Sequence, residues 1–347
     1  MKKEINVYIA LSGGVDSAVS AALLQKQGYN CTGVFIRFVD NELSRVGLNN
    51  AANVANKLNI PFKIYDFRNE FKDRVIDYFI REYKSGRTPN PCVFCNSDIK
   101  FGLFLEKAIK DSADFISTGH YVRKVYNSKD KRFRLLKGID SKKDQSYFLY
   151  RLNQKQLKYC LFPLGTYIKK QVTDLSKDFG LDLNKIKESQ EICFIKNNDI
   201  SKFLKKYIES KEGDIIDTTG NKLRKHNGYF LYTIGQRSGL QIGGGTPFYV
   251  VNINSKTNTL IVSRNETDLY RKSIDIANLS WIEGFQPKLP IKCETSIRYN
   301  HDPQKCQLLE FGNKYKIIFD CKQRAPTPGQ SAVIYNKDEC LGGGIII

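Results

Sequence analysis

Three cysteines lie in sequence contexts that could support thiol chemistry. Cys92 and Cys95 are separated by two residues, and Cys193 lies in a short apolar run much further along the chain. A thiol reacts only when it is deprotonated and accessible. Because Cys95 precedes a helix predicted to begin near Ile99, we expect the positive end of that helix to lower the pKa of Cys95. These three thiols are candidates for nucleophilic or metal-binding roles.

The other cysteines have no comparable context, and we expect them to be small buried hydrophobic residues. They are Cys31, Cys160, Cys293, Cys306, Cys321 and Cys340. Nine cysteines is an odd number for a chain of 347 residues, and the composition does not indicate a disulfide framework.

A glycine-rich turn at Ser12–Ser17 could bind phosphate. Its sequence, Ser-Gly-Gly-Val-Asp-Ser, lies between a predicted strand and a predicted helix. Glycines let backbone N–H groups approach an anion, and the helix that follows adds its dipole. Asp16 would repel bare phosphate, so its presence indicates that a divalent cation such as Mg²⁺ accompanies the ligand. The Gly-Lys-Ser/Thr sequence of a Walker loop is absent from the turn.

Alternating strands and helices surround this turn. The predicted strands cover residues 5–11, 31–38, 61–67 and 114–118, and the predicted helices cover residues 16–27, 49–58, 71–83 and a segment from about 99. This alternation is typical of a parallel sheet with helices on both faces. The sequence therefore predicts an α/β, Rossmann-like catalytic domain over residues 1–200.

The pattern changes after about residue 200. Short β-type runs separated by turn signals follow at residues 228–234, 247–252, 259–262, 292–299, 315–319 and 331–335. Such runs favour small sheets or a barrel. We predict a small β-rich central domain over residues 201–272 and a C-terminal β-barrel over residues 273–347.

The charge of the chain favours a polyanionic partner. Lys and Arg number 55 against 36 Asp and Glu, so the formal net charge is +19. Nucleic acid is the first candidate for a partner of such a protein. The densest positive patch lies between Arg123 and Lys143. It could follow a phosphate backbone, or it could be a solvated hairpin without a partner, and the sequence leaves both interpretations open.

Hydropathy argues against a membrane protein. No run approaches the ~18 to 20 apolar residues of a membrane span. Glu4, Ser12 and Asp16 interrupt any signal-peptide core. Because 41% of the residues are apolar, a sizeable folded core is expected. We therefore expect a cytoplasmic protein without a membrane partner.

The turn at Ser12–Ser17 resembles the signature of the N-type ATP pyrophosphatases, the PP-loop superfamily, which use ATP to adenylate an oxygen and release pyrophosphate. The turn and the cysteine segments together resemble the bacterial tRNA-specific 2-thiouridylases. Further matching segments run in order along nearly the whole chain, at Thr118–Val122, Lys143–Leu149, Ser189–Ile195, Tyr232–Arg237, Ile297–Tyr299, Arg324–Gln330 and Cys340–Ile345.

The resemblance implies a reaction. The O2 atom of the uracil at the wobble position of tRNA would attack the α-phosphate of ATP, bound with Mg²⁺, and pyrophosphate would leave. Cys193 would receive sulfur as a persulfide from a sulfur-donor protein, and that sulfur, or sulfide released from it, would replace the adenylated oxygen with loss of AMP. Cys95 would be the second thiol, and a Cys95–Cys193 disulfide would close the turnover.

The resemblance also implies residue roles. The implied ATP-binding residues are Ala10, Leu11, Ser12, Gly13, Gly14, Val15, Asp16, Ser17, Ile36 and Gly119. The implied tRNA-binding residues are Asn90, Pro91, Cys92, His120, Lys143, Asp144, Gln145, Arg298, Tyr299 and Gln330. Of these, the residues at 90–92 would border the target base.

One position departs from the resemblance. Cys92 stands where the commonest family pattern has Asp, which could act as a general acid or base, and a thiol at its ordinary pKa does so less readily. The exchange also creates a set of three thiols, Cys92, Cys95 and Cys193, that could ligate an iron–sulfur cluster. A persulfide mechanism without metal and a structural zinc site are the alternatives, although no second Cys-x-x-Cys pair supports zinc.

Two other classes of function remain open. A different PP-loop enzyme, such as an amide-forming synthetase acting on a small molecule, would explain the turn but neither the charge nor the cysteines. ATP turnover without RNA would support this alternative. An RNA-binding protein without enzymatic activity would explain the charge but leaves the intact Ser12–Ser17 turn unexplained.

Overall fold

The structure, a computed structural model, describes residues 4–181, 192–243, 245–312 and 314–347. Within these ranges the α-helices are α1 (Val15–Lys26), α2 (Glu42–Lys57), α3 (Arg68–Phe71), α4 (Asp77–Lys84), α5 (Pro91–Phe94), α6 (Phe104–Lys110), α7 (Gln154–Lys158), α8 (Lys169–Asp178) and α9 (Ile200–Leu204). Two π-helical segments, Lys72–Ile76 and Cys95–Leu103, join neighbouring α-helices.

The strands of the described residues are β1 (Asn6–Ala10), β2 (Asn30–Arg37), β3 (Phe62–Asp66), β4 (Phe115–Ser117), β5 (Val122–Asn127), β6 (Arg132–Lys137), β7 (Cys160–Leu161), β8 (Gly213–Asp217), β9 (Lys222–His226), β10 (Tyr249–Asn254), β11 (Thr259–Ser263), β12 (Tyr270–Trp281), β13 (Ile291–Ser296), β14 (Gln304–Phe311), β15 (Lys314–Arg324), β16 (Ser331–Asn336) and β17 (Glu339–Ile346).

A parallel five-stranded sheet forms the N-terminal part of the chain, in the order β3-β2-β1-β4-β7. Successive residues of a strand face opposite sides. Val7 and Ile9 of β1 therefore pack into the core that includes residues of α1 and α2, whereas Tyr8 packs into the core on the opposite face. Both faces are covered by helices, as the alternating sequence pattern predicts.

The second helix begins earlier than its pattern indicates. We predict a helix from 49, but α2 begins at Glu42, where Asn41 accepts the N–H of Ser44 at 2.8 Å as a side-chain cap. Leu43 and Val46 in the first turns are exposed, so this part of the helix shows no buried apolar stripe. The prediction is wrong at this end because it relied on that stripe.

A separate four-stranded sheet follows, in the order β10-β11-β8-β9. Its strands β10 and β11 confirm two of the predicted β-type runs. The predicted run at 228–234 is wrong, because a 3₁₀ turn at Tyr229–Leu231 occupies it. Gly228, at φ +132°, starts that turn in a conformation that other residues rarely adopt.

The C-terminal strands close into an antiparallel barrel. The strand order is β12-β15-β14-β13-β16-β17, and β17 pairs back to β12. The predicted fold class, a Rossmann-like α/β domain followed by a β-barrel, is confirmed. Strand β12 extends across residue 273, where the sequence pattern places the start of the barrel.

The basic segment Arg123–Lys143 contains the β5–β6 hairpin, which extends the barrel sheet through β17. Several of its charges have partners within the chain. Arg123 donates to Asp338 at 3.0 Å, Arg134 donates to Glu339 at 3.2 Å, and Lys124 donates to the carbonyl of Cys160 at 2.6 Å. Part of this charge therefore fastens the N-terminal domain to the barrel.

The cysteine expectations are confirmed with one exception. Cys31, Cys160, Cys293, Cys306 and Cys340 are buried, but Cys321 is exposed on β15. One face of β15 is exposed to solvent. Side chains alternate between the two faces of a strand, but the sequence alone does not show which face is buried. No helix within the described ranges is both long enough and apolar enough for a membrane span.

Candidate functional site

The turn between β1 and α1 is shaped by its own serines. Ser17 Oγ donates to the carbonyl of Gly14 at 3.0 Å and accepts the N–H of Ser12 at 3.1 Å, and the two serine hydroxyl oxygens lie 3.2 Å apart. Because α1 begins at Val15, the N–H groups of its first turn, which have no partner within the helix, lie next to this turn. The strand–turn–helix context expected of a phosphate-binding turn is confirmed.

Two glycines are required by close packing around this turn. Gly13 has φ +83°, and a Cβ there would lie 2.5 Å from the carbonyl oxygen of Gly47 in α2. A Cβ at Gly119, which follows β4, would lie 2.8 Å from the backbone nitrogen of Ser17. The chain leaving β4 therefore passes directly against the first turn of α1.

The remaining residues expected at ATP line the carboxyl ends of β1 and β2. Ala10 ends β1, and the N–H of Leu11 donates to Val34 of β2 at 2.9 Å. Ile36 is almost fully buried in the core beneath the turn. Val15 packs towards α8. In an open parallel sheet this edge is where ligands bind.

Asp16 is held by two side chains that are absent from the predicted site, although Tyr121 lies in the matching segment Thr118–Val122. Its Oδ1 accepts the Tyr121 hydroxyl at 2.6 Å and Lys169 Nζ at 2.7 Å. Tyr121 is buried, and Lys169 is the first residue of α8. Lys169 is distant from the turn in sequence and stands in no motif, so the fold alone brings it to Asp16.

The prediction that Cys95 precedes a helix is wrong. The helical segment begins at Pro91, and Asn90 caps it by accepting the N–H of Cys92 at 3.2 Å. Cys95 lies inside the segment, away from its positive end, and burial raises its pKa instead of lowering it. An Asn cap followed by Pro at the first helical position is the sequence signal for this earlier start.

Lys100 lies near all three candidate thiols. Desolvation raises the pKa of Cys92, Cys95 and Cys193, to about 11 for Cys193, and the charge of Lys100 opposes the rise in each. The thiols also act on one another, because a charge on Cys92 raises the pKa of Cys95 and of Cys193, and a charge on Cys193 raises the pKa of Cys95. In a π-helical segment each N–H bonds five residues back, so Lys100 lies one turn beyond Cys95.

Cys193 is exposed, while the residue that follows it is anchored. The ring of Phe194 contacts Phe71, Phe79 and Phe203, with centroids 5.7, 5.4 and 5.3 Å away. Residues 189–191 of the matching segment lie outside the described residues. Cys193 therefore has exposed surface next to a fixed residue, while its thiol lies close enough to surrounding protein groups for desolvation to raise its pKa.

His120 connects the phosphate turn to the thiols. It follows Gly119, its Nδ1 lies 2.7 Å from Thr118 Oγ1, and its ring lies 5.6 Å from that of Phe101. Burial, with a smaller contribution from Lys100, lowers the pKa of His120 well below its ordinary value. His120 is therefore a buried, neutral imidazole near neutral pH.

No three His, Cys, Asp or Glu side chains in the described ranges are placed to hold a metal ion. Cys92, Cys95 and Cys193 are all described, and they do not form such a group. In this arrangement the three residues do not fit an iron–sulfur cluster.

The loop before Asn90 is held by three residues from two other parts of the chain. The N–H of Thr88 donates to Pro328 of the barrel at 2.9 Å, and Gln330 Nε2 donates to the carbonyl of Thr88 at 2.7 Å. The Thr88 hydroxyl lies 3.2 Å from that of Thr233, in the segment carrying the four-stranded sheet. Gln330, expected at the tRNA interface, thus contacts the loop that bears Asn90.

The segment Lys143–Gln145 forms a fixed turn. Asp144 accepts the N–H of Gly138 at 3.0 Å and the Ser146 hydroxyl at 2.7 Å. Burial raises the pKa of Asp144, and those hydrogen bonds oppose the rise. Gln145 accepts the N–H of Tyr121 at 3.0 Å. Asp144 therefore fixes the turn itself, and Gln145 holds the chain next to Gly119.

Arg298 and Tyr299 lie where the barrel meets the N-terminal domain. Arg298 donates to the carbonyl of Ala325, and burial lowers the pKa of its guanidinium. Tyr299 stacks on Phe148 with centroids 4.4 Å apart. Tyr147, absent from the predicted site, donates to Ser331 of the barrel at 2.9 Å.

Tyr147 is the residue that joins these groups. Its hydroxyl also interacts with the side chain of Asn90, and its ring lies 6.2 Å from Tyr299. It belongs to the matching segment Lys143–Leu149, so that segment is the signal that could have identified it. Asn90, Arg298 and Tyr299 are thereby brought to one place.

Three family models match the chain in order. A tRNA methyl transferase HUP domain matches residues 5–197, a tRNA methyl transferase PRC-barrel domain matches residues 201–264, and an aminomethyltransferase beta-barrel domain matches residues 271–346. Together they cover most of the chain.

Curated relatives match at similar levels. The tRNA-specific 2-thiouridylase MnmA of Clostridioides difficile is 42% identical over 98% of this chain and 97% of its own length. That of Syntrophomonas wolfei is 43% identical over 99% of this chain and 100% of its own length. Among solved structures, the U34-tRNA thiolase NcsA from Methanococcus maripaludis with its [4Fe-4S] cluster is 19% identical, with TM-score 0.38 over 55% of this chain and 61% of that one. That likeness is too slight to transfer a ligand.

Proposed function

Because the chain belongs to the family of tRNA-specific 2-thiouridylases and is thus a tRNA-uridine sulfurtransferase, we propose that it replaces O2 of the wobble uridine with sulfur by adenylation and persulfide transfer. One observation carries the proposal: Gly119 packs against the phosphate turn at Ser12–Ser17 and is followed by His120, and Lys100 lies near enough to His120 and to the three thiols to lower the pKa of each. A nucleotide and a sulfur nucleophile can therefore reach one base.

The first half-reaction is adenylation. The turn Ser12–Ser17 binds the phosphates of ATP through backbone N–H groups and the hydroxyls of Ser12 and Ser17, with Ile36 and Gly119 beside the adenosine. Asp16 is the carboxylate that would hold Mg²⁺, an ion that binds by one or two carboxylates and substrate phosphates and neutralises their charge. Uracil O2 attacks the α-phosphorus, the bond to the bridging oxygen breaks, and pyrophosphate leaves.

The second half-reaction transfers sulfur. The terminal sulfur of a Cys193 persulfide attacks C2, and AMP leaves with the former O2. The thiolate of Cys95 then attacks Cys193 Sγ, which breaks the S–S bond and releases the sulfur on the uracil. The resulting Cys95–Cys193 disulfide needs a dithiol reductant before the next turnover. The exposed Cys193 suits sulfur delivery by a donor protein.

The base is held between the N-terminal domain and the barrel. Asn90, Pro91 and Cys92 border it, and Arg298 and Tyr299 supply a charge for phosphate and a ring for stacking. Lys143, Asp144, Gln145, His120 and Gln330 complete the proposed tRNA interface, some of them by fixing the loops. The net charge of +19 favours tRNA, and a tRNA substrate favours the cytoplasm.

The adenylation step is tested with tRNA labelled with ¹⁸O at uracil O2. Incubated with ATP, Mg²⁺ and a persulfide donor, the protein should release AMP that carries the label, and pyrophosphate release should require tRNA. Unlabelled AMP, or pyrophosphate released equally without RNA, would contradict the proposal. Cys321→Ser is the matched control for Cys193→Ser, because both thiols are exposed.

A further inference from the structure

We infer that Arg151 contacts a phosphate next to the target nucleotide of the tRNA and so helps to position the wobble base. The inference deepens the proposed function and rests on it, since a tRNA substrate is its premise. The observation behind it is the guanidinium of Arg151, which lies over the ring of Phe94 with its Cζ 4.2 Å from the ring centroid.

Phe94 belongs to the short helix that carries residues proposed to border the base. It ends α5, three residues after Pro91, and residues at this spacing are neighbours on one side of a helix. One turn of helix rises about 5.4 Å. The charge over Phe94 is therefore about one helical turn from Pro91, close enough to meet a phosphate that adjoins the target nucleotide.

The guanidinium is held in a defined place. The ring of Phe94 also contacts the buried Tyr78, with ring centroids 4.0 Å apart. Arg151 lies in the turn before α7, between the buried residues Tyr150 and Leu152, so its backbone is anchored on both sides. A planar guanidinium that stacks on an anchored ring presents its N–H groups along its edge, where they can donate to a phosphate in pairs.

The charges around Arg151 leave it available to an anion from outside the chain. Within the described parts of the chain, no carboxylate pairs with Arg151. Glu82, which acts on the same Tyr78 hydroxyl as Arg151 does, is already paired with Arg87, whose guanidinium donates to its two oxygens at 2.6 and 2.8 Å. The positive charge of Arg151 therefore remains, and phosphate is the anion that a tRNA supplies.

Salt dependence distinguishes a phosphate contact from a purely structural role. A cation over an aromatic ring is favourable by itself, so Arg151 could simply cover Phe94. A contact with phosphate releases counterions, and losing one such contact lowers the slope of log affinity against log salt by about one. Losing a cation that only covers a ring leaves this slope unchanged.

The test measures binding of unmodified tRNA to the full chain by fluorescence anisotropy over a series of salt concentrations. Arg151→Met keeps an unbranched side chain over Phe94, and it should weaken binding by about tenfold and lower the slope by about one. Arg151→Lys should keep most of the slope because it keeps the charge. Lys158→Met is the matched control, because Lys158 also lies over a ring, 5.4 Å from the centroid of Tyr159, and belongs to the neighbouring α7. ATP affinity should be unchanged in every variant.

The position of the contact is tested with tRNA that carries an uncharged methylphosphonate at one of the two phosphates flanking the wobble nucleotide. One of the two replacements should weaken binding to the unaltered protein by about tenfold. The same replacement should have little further effect on Arg151→Met, since both changes remove one contact.

Three results would overturn the inference. An unchanged salt slope in Arg151→Met would mean that the arginine only covers Phe94, and an equal loss in Lys158→Met would mean that any surface charge has the same effect. Fully additive losses with both methylphosphonates would place the contact elsewhere. Failure of the proposed function is distinguishable, because it would appear as an absence of 2-thiouridine with the unaltered protein, whatever the effect of Arg151 on tRNA binding.

Discussion

The side-chain amide of Gln330 donates to the carbonyl oxygen of Thr88 at 2.7 Å, so the barrel holds the backbone just before Asn90. The adjoining Thr88 N–H bonds to Pro328. The barrel therefore supports the loop that we propose borders the base.

Gly329 gives the most direct test of this contact. It has φ +92°, and a Cβ there would lie 2.9 Å from three backbone atoms of Thr88. Because the loop must shift, Gly329→Ala should lower tRNA thiolation by about tenfold or more while ATP binding is kept. Gly284→Ala is the matched control, since Gly284 has φ +84° with open space around it. Equal thiolation by the two variants would contradict the role of the contact.

Lys100 should set the reactivity of the thiols. Its charge lowers the pKa of Cys193, which is raised to about 11 by desolvation, so Lys100→Met should raise that pKa further. Alkylation of Cys193 near pH 8, followed by peptide mass spectrometry, should slow severalfold, and the rate profile should move to higher pH. Lys100→Arg should keep the original profile, as should Lys110→Met on the exposed side of α6. If the pH profile of Cys193 alkylation is unchanged in Lys100→Met, this role of Lys100 is contradicted.

The three thiols should differ in importance. Cys193→Ser and Cys95→Ser should abolish thiolation, because each removes a sulfur that the transfer requires. Cys92→Ser should retain activity within about tenfold, since a thiol with a raised pKa transfers protons poorly near neutral pH. Anaerobic purification with iron and sulfide analysis checks the metal-free interpretation. Stoichiometric iron that is lost in all three variants would establish a cluster and contradict it.

His120 should make the protein less stable in acid. Its pKa in the folded state lies well below the ordinary 6.5, so the unfolded chain binds the proton more readily. This contribution to stability is present above about pH 6.5 and is lost as the pH falls below it, by up to about 1.4 kcal/mol per pH unit. Urea unfolding at pH 7.5 and at pH 5 gives the free energy of unfolding at each pH. The difference between the two values should be smaller for His120→Gln than for the unaltered protein. The pKa of His226 is also lowered, so His226 accounts for part of the pH dependence that remains in His120→Gln.

The elements at the phosphate turn could be predicted because they depend on local pattern. A buried strand, two glycines and a largely apolar continuation rich in Ala, Val and Leu identify β1, the turn and α1. The start of the helix at Pro91 could also be predicted in principle, since Asn90 and Pro91 are a cap and a first helical residue. The apolar pattern drew attention to Ile99 instead, and the expected direction of the Cys95 pKa was wrong as a result.

Contacts made by the fold could not be predicted from one sequence. Lys169 reaches Asp16 because α8 packs on α1, and no local spacing encodes that packing. The sequence of the Arg123–Lys143 segment does not show which of its charged side chains have partners within the chain. Arg123 and Arg134 have acidic partners in β17 or the turn before it, and those partners lie far along the chain.

The central claim is that sulfur reaches the wobble uridine through Cys193. It is tested most directly by nucleoside mass spectrometry of unmodified tRNA after incubation with the protein, ATP, Mg²⁺ and a persulfide donor. The account predicts 2-thiouridine at the wobble position, dependent on ATP, absent with Cys193→Ser and unchanged with Cys321→Ser. Unmodified uridine in the complete reaction, or 2-thiouridine formed at the normal rate by Cys193→Ser, would contradict it.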